Sequence, residues 1–224
     1  MRTNRCLGER TIHGVKIRKR RKGGGRKRGP NGSFRHEKRA KLRGIEPLLI
    51  TTSLVNRLPD MRNPRTLQVL AECFEKGCER PGFRMLHFSV QGDHLHFIVE
   101  GNNRDELTRG MKGLLVRIAR ALNKLWRRKG KVFAHRFHER ILRKASSVRR
   151  AVRYVLNNAR KHGRWFGPGP DPYSSGMWFQ RWLEGPITPY TSGPTASHQS
   201  FMMEIFLVMA IKISVTDIPG RRRN

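Results

Sequence analysis

The sequence predicts an α+β fold in which an antiparallel sheet carries two crossover helices on one face. Short segments rich in β-branched and aliphatic residues alternate with longer amphipathic segments, and two of the short segments flank a Gly-Asp turn. The resulting order is strand, helix, strand, strand, helix, strand. This is the order of the ferredoxin-like βαββαβ unit, and here an added helix follows it.

The first strand and the first helix open the predicted domain. Residues 47–55 are rich in aliphatic and β-branched side chains and stop before a Leu-Pro-Asp turn, so they predict a strand. Asn63 and Pro64 then supply an N-cap and a first-turn proline. An apolar stripe at helical spacing follows, so a helix is predicted to end near Gly77.

A β-hairpin is predicted next, because residues 83–90 and 94–100 flank the two-residue turn Gly92-Asp93. Side chains along a strand alternate between its faces. His94 and His96 therefore share one face, and the apolar residues between and after them point to the other. The apolar face is expected to meet the helices, which leaves the two imidazoles on the more open face of the sheet.

The second half of the domain holds the longest helix. Asn103 and Glu106 form a capping-box-like start, and apolar residues recur at helical spacing as far as Leu125. Residues 131–142 predict a last, irregular strand. Ser146 or Ser147 is then expected to cap a third helix that runs to about His162.

Composition divides the chain into three parts. Residues 1–44 contain 17 Lys and Arg with almost no apolar periodicity, and we expect them to be a basic arm that is disordered until it meets nucleic acid. Residues 45–163 form the predicted domain. Residues 164–224 are a tail rich in Pro, Gly and aromatic residues, with one short helix near residues 175–183. The tail tryptophans either stack on unpaired bases or pack back onto the domain.

The net charge of +32, from 48 Lys and Arg against 16 Asp and Glu, indicates a polyanionic partner. Three cysteines without Cys-x-x-Cys spacing favour neither a disulfide framework nor a zinc ribbon, so reduced thiols and a cytoplasmic location are expected. The pattern of apolar residues predicts neither a signal peptide nor a membrane span.

Tyr154 and Asn158 are four residues apart on the predicted third helix, at the margin of its apolar stripe. A phenol in that position can attack a phosphorus atom, and an amide oxygen can complete a metal site begun by two imidazoles. Phosphodiester cleavage has to neutralise developing charge on the nonbridging oxygens, and a bound divalent cation does this. Nitrogen and oxygen ligands of this kind suit Mg²⁺ or Mn²⁺, bound weakly.

These motifs resemble those of the HUH endonuclease superfamily in its single-tyrosine branch. Within that branch, residues 45–162 are similar to the REP-associated tyrosine transposases, relatives of the IS200-like transposases. The resemblance lies in Gln91-Gly-Asp-His-Leu-His, Lys131-Val-Phe-Ala-His-Arg-Phe-His and Tyr154-Val-Leu-Asn-Asn-Ala-Arg-Lys-His. It implies metal-dependent cleavage and rejoining of single-stranded DNA at an imperfect hairpin, through a 5′-phosphotyrosine. It also implies that His94, His96 and Asn158 are metal ligands and that Tyr154 is the nucleophile.

Basic side chains that few acidic residues balance are the expected contacts to single-stranded or hairpin DNA, although such a row is also typical of a solvated helix face. The predicted DNA-binding residues are Arg109, Lys112, Arg117, Arg120, Lys124, Arg127, Arg128, Arg150 and Lys161. The oligomeric state is left open between a monomer and a homodimer.

Two other functions fit the same residues. A non-enzymatic protein that binds nucleic acid accounts for the charge without a metal, and a metal nuclease that uses water accounts for the histidines without Tyr154. Tyr154 can also be a boundary residue that anchors its helix by ring burial. His135 and His138 lie in a basic segment where exposure or phosphate contact is expected rather than metal binding.

Overall fold

The structure is a computed structural model that describes residues 39–185, 193–208 and 212–220, together with the backbone of two short strands near the N-terminus. Contacts divide the chain into two units, Met1–Ala40 and Lys41–Asn224. In the first unit, β1 (Arg10–Ile12) and β2 (Val15–Ile17) pair antiparallel. The rest of residues 1–38 lies outside the described residues, so the disordered arm stays a prediction.

The second unit contains a five-stranded antiparallel sheet with the strand order β4-β5-β6-β3-β7. This architecture confirms the predicted α+β, ferredoxin-like fold, with one short hairpin strand added at an edge. Its elements are β3 (Glu46–Ser53), α1 (Pro64–Glu75), β4 (Glu79–Arg80), β5 (Phe83–Val90), β6 (His94–Gly101), α2 (Arg104–Leu125), β7 (His138–Ile141), α3 (Ala145–Leu156), α4 (Asn158–Lys161), a 3₁₀ helix (Ser175–Trp178) and α5 (Phe201–Val208).

The two crossover helices begin where the sequence predicts. The Asn63 side chain accepts a hydrogen bond from the Thr66 backbone N–H at the start of α1. Asn103 accepts from the backbone N–H groups of Asp105 and Glu106 at the start of α2. Each cap pairs N–H groups that no helical carbonyl can reach.

The sheet is covered on both faces by separate apolar clusters. On one face, β-strand residues such as Leu95 and Phe97 pack with the apolar stripes of α1 and α2. On the other face, Ile98 packs with α3 and with the segment that contains Trp182 and Phe206. The alternation predicted for β6 is therefore observed, and α3 lies over the face that carries the histidines.

The last strand is shorter than predicted. Of residues 131–142, only His138–Ile141 form β7, which pairs antiparallel with β3. Phe133 makes an isolated bridge with Leu54 instead of joining a continuous ladder. The segment lacks a regular alternation of apolar and polar residues, so it has no register that buries one complete face.

The third helix also differs from its prediction. It begins at Ala145 with Lys144 as N-cap, and no side chain caps it, so neither Ser146 nor Ser147 has the predicted capping role. It ends at Leu156 rather than continuing to His162. Asn157 is the C-cap of α3, with φ −107° and ψ 17°, and the short helix α4 follows.

The segment after residue 163 packs onto the domain. Trp182 and Phe206 are 1 % and 0 % exposed, and the Trp182 indole N–H donates to the Gly176 carbonyl. The short helix predicted near residues 175–183 is the 3₁₀ helix, whereas α5 was not predicted. Of the two alternatives for the tail tryptophans, Trp182 therefore packs back onto the domain. Among the described residues, no helix combines the length and apolar character needed to cross a membrane.

A buried ion pair fastens this segment to the sheet. The Arg62 guanidinium donates two hydrogen bonds to the Asp171 carboxylate, at 2.9 and 2.8 Å, and a third to the Val90 carbonyl. The Arg62 and Asp171 side chains are 7 % and 2 % exposed. Arg62 also lies over the Tyr173 ring, 4.4 Å from its centroid.

We expect Asp171→Asn to lower the free energy of unfolding by about 3 kcal/mol, because it leaves the buried Arg62 charge without a counter-charge. The matched control is Arg143→Ala, which removes a 43 % exposed guanidinium from its pair with Glu46 and should cost less than about 1 kcal/mol. Urea unfolding of both variants measures the difference. Equal losses would contradict a special role for the buried pair.

Candidate active site

The paired histidines lie at the start of β6, directly after the predicted turn. The Gln91 N–H donates to the His94 carbonyl at 2.9 Å, which closes a two-residue loop at Gly92-Asp93. The rings of His94 and His96 are 4.8 Å apart between centroids and nearly perpendicular. Strand geometry therefore brings the two imidazoles together without help from other elements.

Each histidine has one ring nitrogen engaged within the protein. His96 Nδ1 shares a hydrogen bond of 2.9 Å with Thr51 Oγ1, the residue opposite it on β3. His94 Nδ1 lies 2.7 Å from Asp93 Oδ1, and this hydrogen bond is the main cause that lowers the pKa of Asp93. A carboxylate only accepts, so in the neutral His94 ring the proton is on Nδ1 and the lone pair is on Nε2. Metal-binding histidines show this arrangement.

His96 is buried, with 3 % of its surface exposed. Burial lowers the pKa of His96 to about 3, and the nearby positive charges of His94, His162 and Lys161 act in the same direction. Its ring is therefore neutral at neutral pH. The neutral form is the one that can bind a metal ion.

Tyr154 reaches this histidine pair from the last turn of α3. Its Oη is 3.5 Å from His96 Nε2, and the two rings are 5.0 Å apart between centroids. The Lys161 ammonium lies over the tyrosine ring, 5.1 Å from its centroid. The phenol is half-buried, as its position at the margin of the apolar stripe predicts, and it adjoins both an imidazole and a positive charge.

Asn158 is the first residue of α4 and is completely buried. Neither its amide nitrogen nor its amide oxygen has a hydrogen-bond partner among the described residues. A buried amide without partners costs free energy, so its presence calls for an explanation. A bound metal ion that the amide oxygen coordinates, or a ligand that donates a hydrogen bond to this oxygen, would be such an explanation.

The neighbouring Asn157 has a structural role instead. Its amide donates a 3.0 Å hydrogen bond to the Ser214 carbonyl in the C-terminal segment. Ser214 lies close to Glu184, whose carboxylate also accepts from the Val215 N–H. The junction between α3 and α4 is therefore fastened by Ser214, which is 57 positions away in the sequence.

The donor atoms fit a divalent cation. The described residues contain no group of three or more His, Cys, Asp or Glu placed to bind a metal, so His94 and His96 need an additional type of ligand. An amide oxygen, such as that of Asn158, is a ligand of this additional type, and two nitrogens with one oxygen suit Mn²⁺ and related divalent ions. A metal ion with so few protein ligands has coordination positions free for phosphate oxygens and water.

His162 joins this group, although it was not among the predicted site residues. Its ring lies 5.9 Å from that of His94, between centroids. Burial lowers the pKa of His162, and the charges of His94 and Lys161 lower it further. Tyr154, Asn158 and His162 are each four residues apart, so this spacing was a signal available in the sequence.

An open cleft of about 390 Å³ adjoins His94 and His162. Two of its acidic side chains have partners, since Asp60 pairs with Arg164 and Asp93 with His94. The cleft is lined by Leu58, Asp60, Gln91, Gly92, Asp93, His94, His162 and Arg164. Its size and polarity allow a phosphodiester and part of a nucleotide to enter beside the imidazoles.

The predicted DNA-binding residues divide between two surfaces. Lys161 is at the site and Arg150 is on the exposed face of α3, whereas the α2 residues lie beyond the sheet face opposite Tyr154. Four of those on α2 are exposed: Arg109, Lys112, Arg120 and Lys124. Of the remaining three, Arg117 is half-buried, Arg127 is exposed, and Arg128 donates to Asn123 and to the Lys131 carbonyl. His135 and His138 are exposed.

Comparison with known proteins defines the class of protein. The sequence-family model described as "Transposase IS200 like" matches residues 54–158, just under half of the chain. A solved structure, "Structure of the REP associates tyrosine transposase bound to a REP hairpin", matches with a TM-score of 0.53 and 20 % identity, over 75 % of this chain and 100 % of that one. No curated protein matches the sequence.

The family model likens residues 54–158 to the transposases, a class of DNA-cleaving enzymes. Residues 54–158 match the model of the IS200-like transposases, and the chain has the fold of a REP-associated tyrosine transposase. The resemblance inferred from the His-Leu-His and Tyr-x-x-x-Asn motifs is thereby confirmed.

The two adjacent asparagines should respond differently to truncation. We expect Asn157→Ala to lower the free energy of unfolding by about 1 to 3 kcal/mol, because it leaves the Ser214 carbonyl unpaired. Asn158→Ala removes an amide that has no partner, so the change should stay within about 1 kcal/mol. Urea unfolding without added metal compares them. If Asn158→Ala costs as much as Asn157→Ala, the Asn158 amide contributes to folding after all.

Proposed function

We propose that this protein cleaves and rejoins single-stranded DNA at hairpin-forming sequences, with Tyr154 as the nucleophile. The observation that carries the proposal is the contact between Tyr154 Oη and Nε2 of the buried, neutral His96. The family of residues 54–158 supports DNA processing. The REP hairpin bound to the solved relative supports a hairpin as the substrate.

In the proposed reaction, Tyr154 Oη loses its proton and attacks the phosphorus of the scissile phosphodiester. The bond between phosphorus and the 3′ oxygen breaks, and that oxygen takes up a proton and leaves as a 3′-hydroxyl. The new bond is a 5′-phosphotyrosine. Attack on it by a second 3′-hydroxyl restores a phosphodiester and the free phenol, so the strand can be rejoined elsewhere.

His94, His96 and Asn158 are the proposed ligands of Mg²⁺ or Mn²⁺, which when bound neutralises charge on the nonbridging phosphate oxygens. The protein prepares these side chains in advance. Thr51 and Asp93 orient the two imidazoles, and the helix interruption orients Asn158. Lys161, beside the Tyr154 ring, is placed to attract the phosphate.

The basic surfaces are proposed to hold the rest of the DNA. Exposed arginine and lysine side chains on α2 would contact phosphates of a hairpin stem, and Arg150 and Lys161 would contact the strand near the site. Such contacts release counterions, so binding should weaken steeply as salt rises. Cys73 and Cys78 are free thiols, which agrees with the proposed cytoplasmic location. The protein acts as a monomer or a homodimer.

A binding function without cleavage is the second candidate. The basic row of α2 borders a groove of about 380 Å³ on the sheet face away from Tyr154, so it can bind nucleic acid independently of the site. Salt-sensitive binding of hairpins without any covalent adduct would favour this function. Cleavage without a protein-linked strand would instead indicate a nuclease that uses water.

We expect Tyr154→Phe to abolish a metal-dependent covalent adduct while leaving hairpin affinity within about twofold of wild type. The phenol oxygen is the attacking atom, whereas the ring and its packing remain. Labelled hairpin DNA with Mg²⁺ or Mn²⁺, followed by denaturing electrophoresis, detects the adduct. An adduct that persists in the variant would rule out Tyr154 as the nucleophile.

We expect His96→Ala to lower cleavage at least about a hundredfold or to shift its metal demand, because it removes one of two imidazole ligands. His138→Ala, which changes an exposed histidine on β7, is the matched control and should leave cleavage unchanged. Binding of Mn²⁺ followed by electron paramagnetic resonance gives a readout that does not depend on activity. Unchanged Mn²⁺ binding in His96→Ala would reject the ligand role.

A further inference from the structure

Phe166 is the most exposed large apolar side chain among the described residues, with 83 % of its surface accessible. It lies in the loop that follows α4, where the site residues end. A single exposed apolar residue on a loop is ordinary. The neighbourhood of this ring is what distinguishes it, because it combines a fixed backbone, an adjacent cleft and an excess of positive charge.

The loop that carries Phe166 is fastened on both sides of the ring. The Arg164 N–H donates to the Ala159 carbonyl at 2.7 Å, and the Trp165 indole N–H donates to the Gly169 carbonyl at 2.8 Å. The Arg160 guanidinium donates to the carbonyls of Gly167 and Gly169. An aromatic ring on a fastened backbone loses little conformational entropy when a ligand covers it.

The ring is next to the cleft beside the histidines. Gly163 turns the chain with φ +63°, and a Cβ at that position would lie 3.6 Å from Phe166 Cζ. The two residues that flank Gly163 are His162 and Arg164, and both line the cleft. The Phe166 ring therefore contacts the chain at a residue directly between two that line the cleft, where a phosphodiester would enter.

The charges around the ring identify the occupant. Arg160, Lys161 and Arg164 lie within six residues of Phe166. Asp60 offsets the charge of Arg164, whereas Arg160 donates to the uncharged carbonyls of Gly167 and Gly169 and keeps its charge. An apolar peptide would gain nothing from this positive charge. An unpaired nucleotide has a flat face that stacks on a phenyl ring and a phosphate that matches the nearby cations.

We propose that Phe166 is a stacking platform for one unpaired base in the single-stranded flank of the DNA, next to the phosphate that enters the cleft. The inference rests on the proposed function, since that function brings a single strand to His94 and His162. Stacking on a phenyl ring tolerates any base, so the platform would position the strand and would not select its sequence.

The test uses the full chain carrying Tyr154→Phe, which binds DNA without cleaving it, and compares it with the same chain carrying Phe166→Ala. The DNA is a hairpin with a single-stranded flank on one side, with 2-aminopurine placed at successive flank positions, and a second hairpin has no flank. The control is Phe201→Ala, which removes a 71 % exposed phenylalanine from α5. Phe166→Trp keeps an aromatic face.

We expect Phe166→Ala to weaken binding of the flanked hairpin about tenfold, within the range of one base–aromatic stack, and to leave the hairpin without a flank unaffected. Quenching of 2-aminopurine at one flank position should disappear with Phe166→Ala and persist with Phe166→Trp and Phe201→Ala. Equal binding by Phe166→Ala and its parent, or equal losses with Phe166→Ala and Phe201→Ala, would overturn the proposal.

The two proposals fail separately. If the chain with Tyr154 intact forms no adduct on any hairpin, the proposed cleavage fails, whatever the flank measurements show. If the adduct forms but flank binding does not depend on Phe166, only the stacking platform fails.

Discussion

Packing of α3 against the second face of the sheet is the constraint on which the rest of the structure depends. An antiparallel sheet can leave one face to solvent, but here both faces of β6 are covered by apolar clusters. His96 therefore lies in an interior, where it stays uncharged, and Tyr154 reaches it from the covering helix. The same packing buries the Asn158 amide without a partner. The apolar packing thus keeps the His96 ring uncharged and the Asn158 amide without a hydrogen-bond partner, whereas water would hydrate both groups.

The segment beyond residue 163 completes this packing. Trp182 and Phe206 join the apolar cluster of α3, the Asn157 amide is held by the Ser214 carbonyl, and Asp171 neutralises the buried Arg62. The helix propensities of residues 158–161 do not by themselves predict that α3 ends at Asn157. The C-terminal segment therefore contributes to the geometry of the site even though it supplies no predicted catalytic group.

Positive charge is distributed over two surfaces that the sheet separates. One lies near the cleft and includes Lys161 and Arg164, and the other is the outer face of α2. A substrate with a duplex stem and a single-stranded flank offers phosphates in two geometries, which suits two separate basic surfaces. Under the proposed function, this separation allows binding and cleavage to be tested independently by substitutions on α2 and at Tyr154.

The sequence by itself determined the order of the elements, the helix caps at Asn63 and Asn103 and the sharing of one face by His94 and His96. These features follow from periodicities of 2 and 3.6 residues and from side chains that bond to nearby backbone. It also indicated Tyr154 and Asn158, because their spacing is local. Only the tertiary structure decided that α3 stops at Leu156, that β7 is short and that the C-terminal segment packs onto the domain through Trp182. Each of these depends on contacts between residues far apart in the chain, and local patterns carry no information about such contacts.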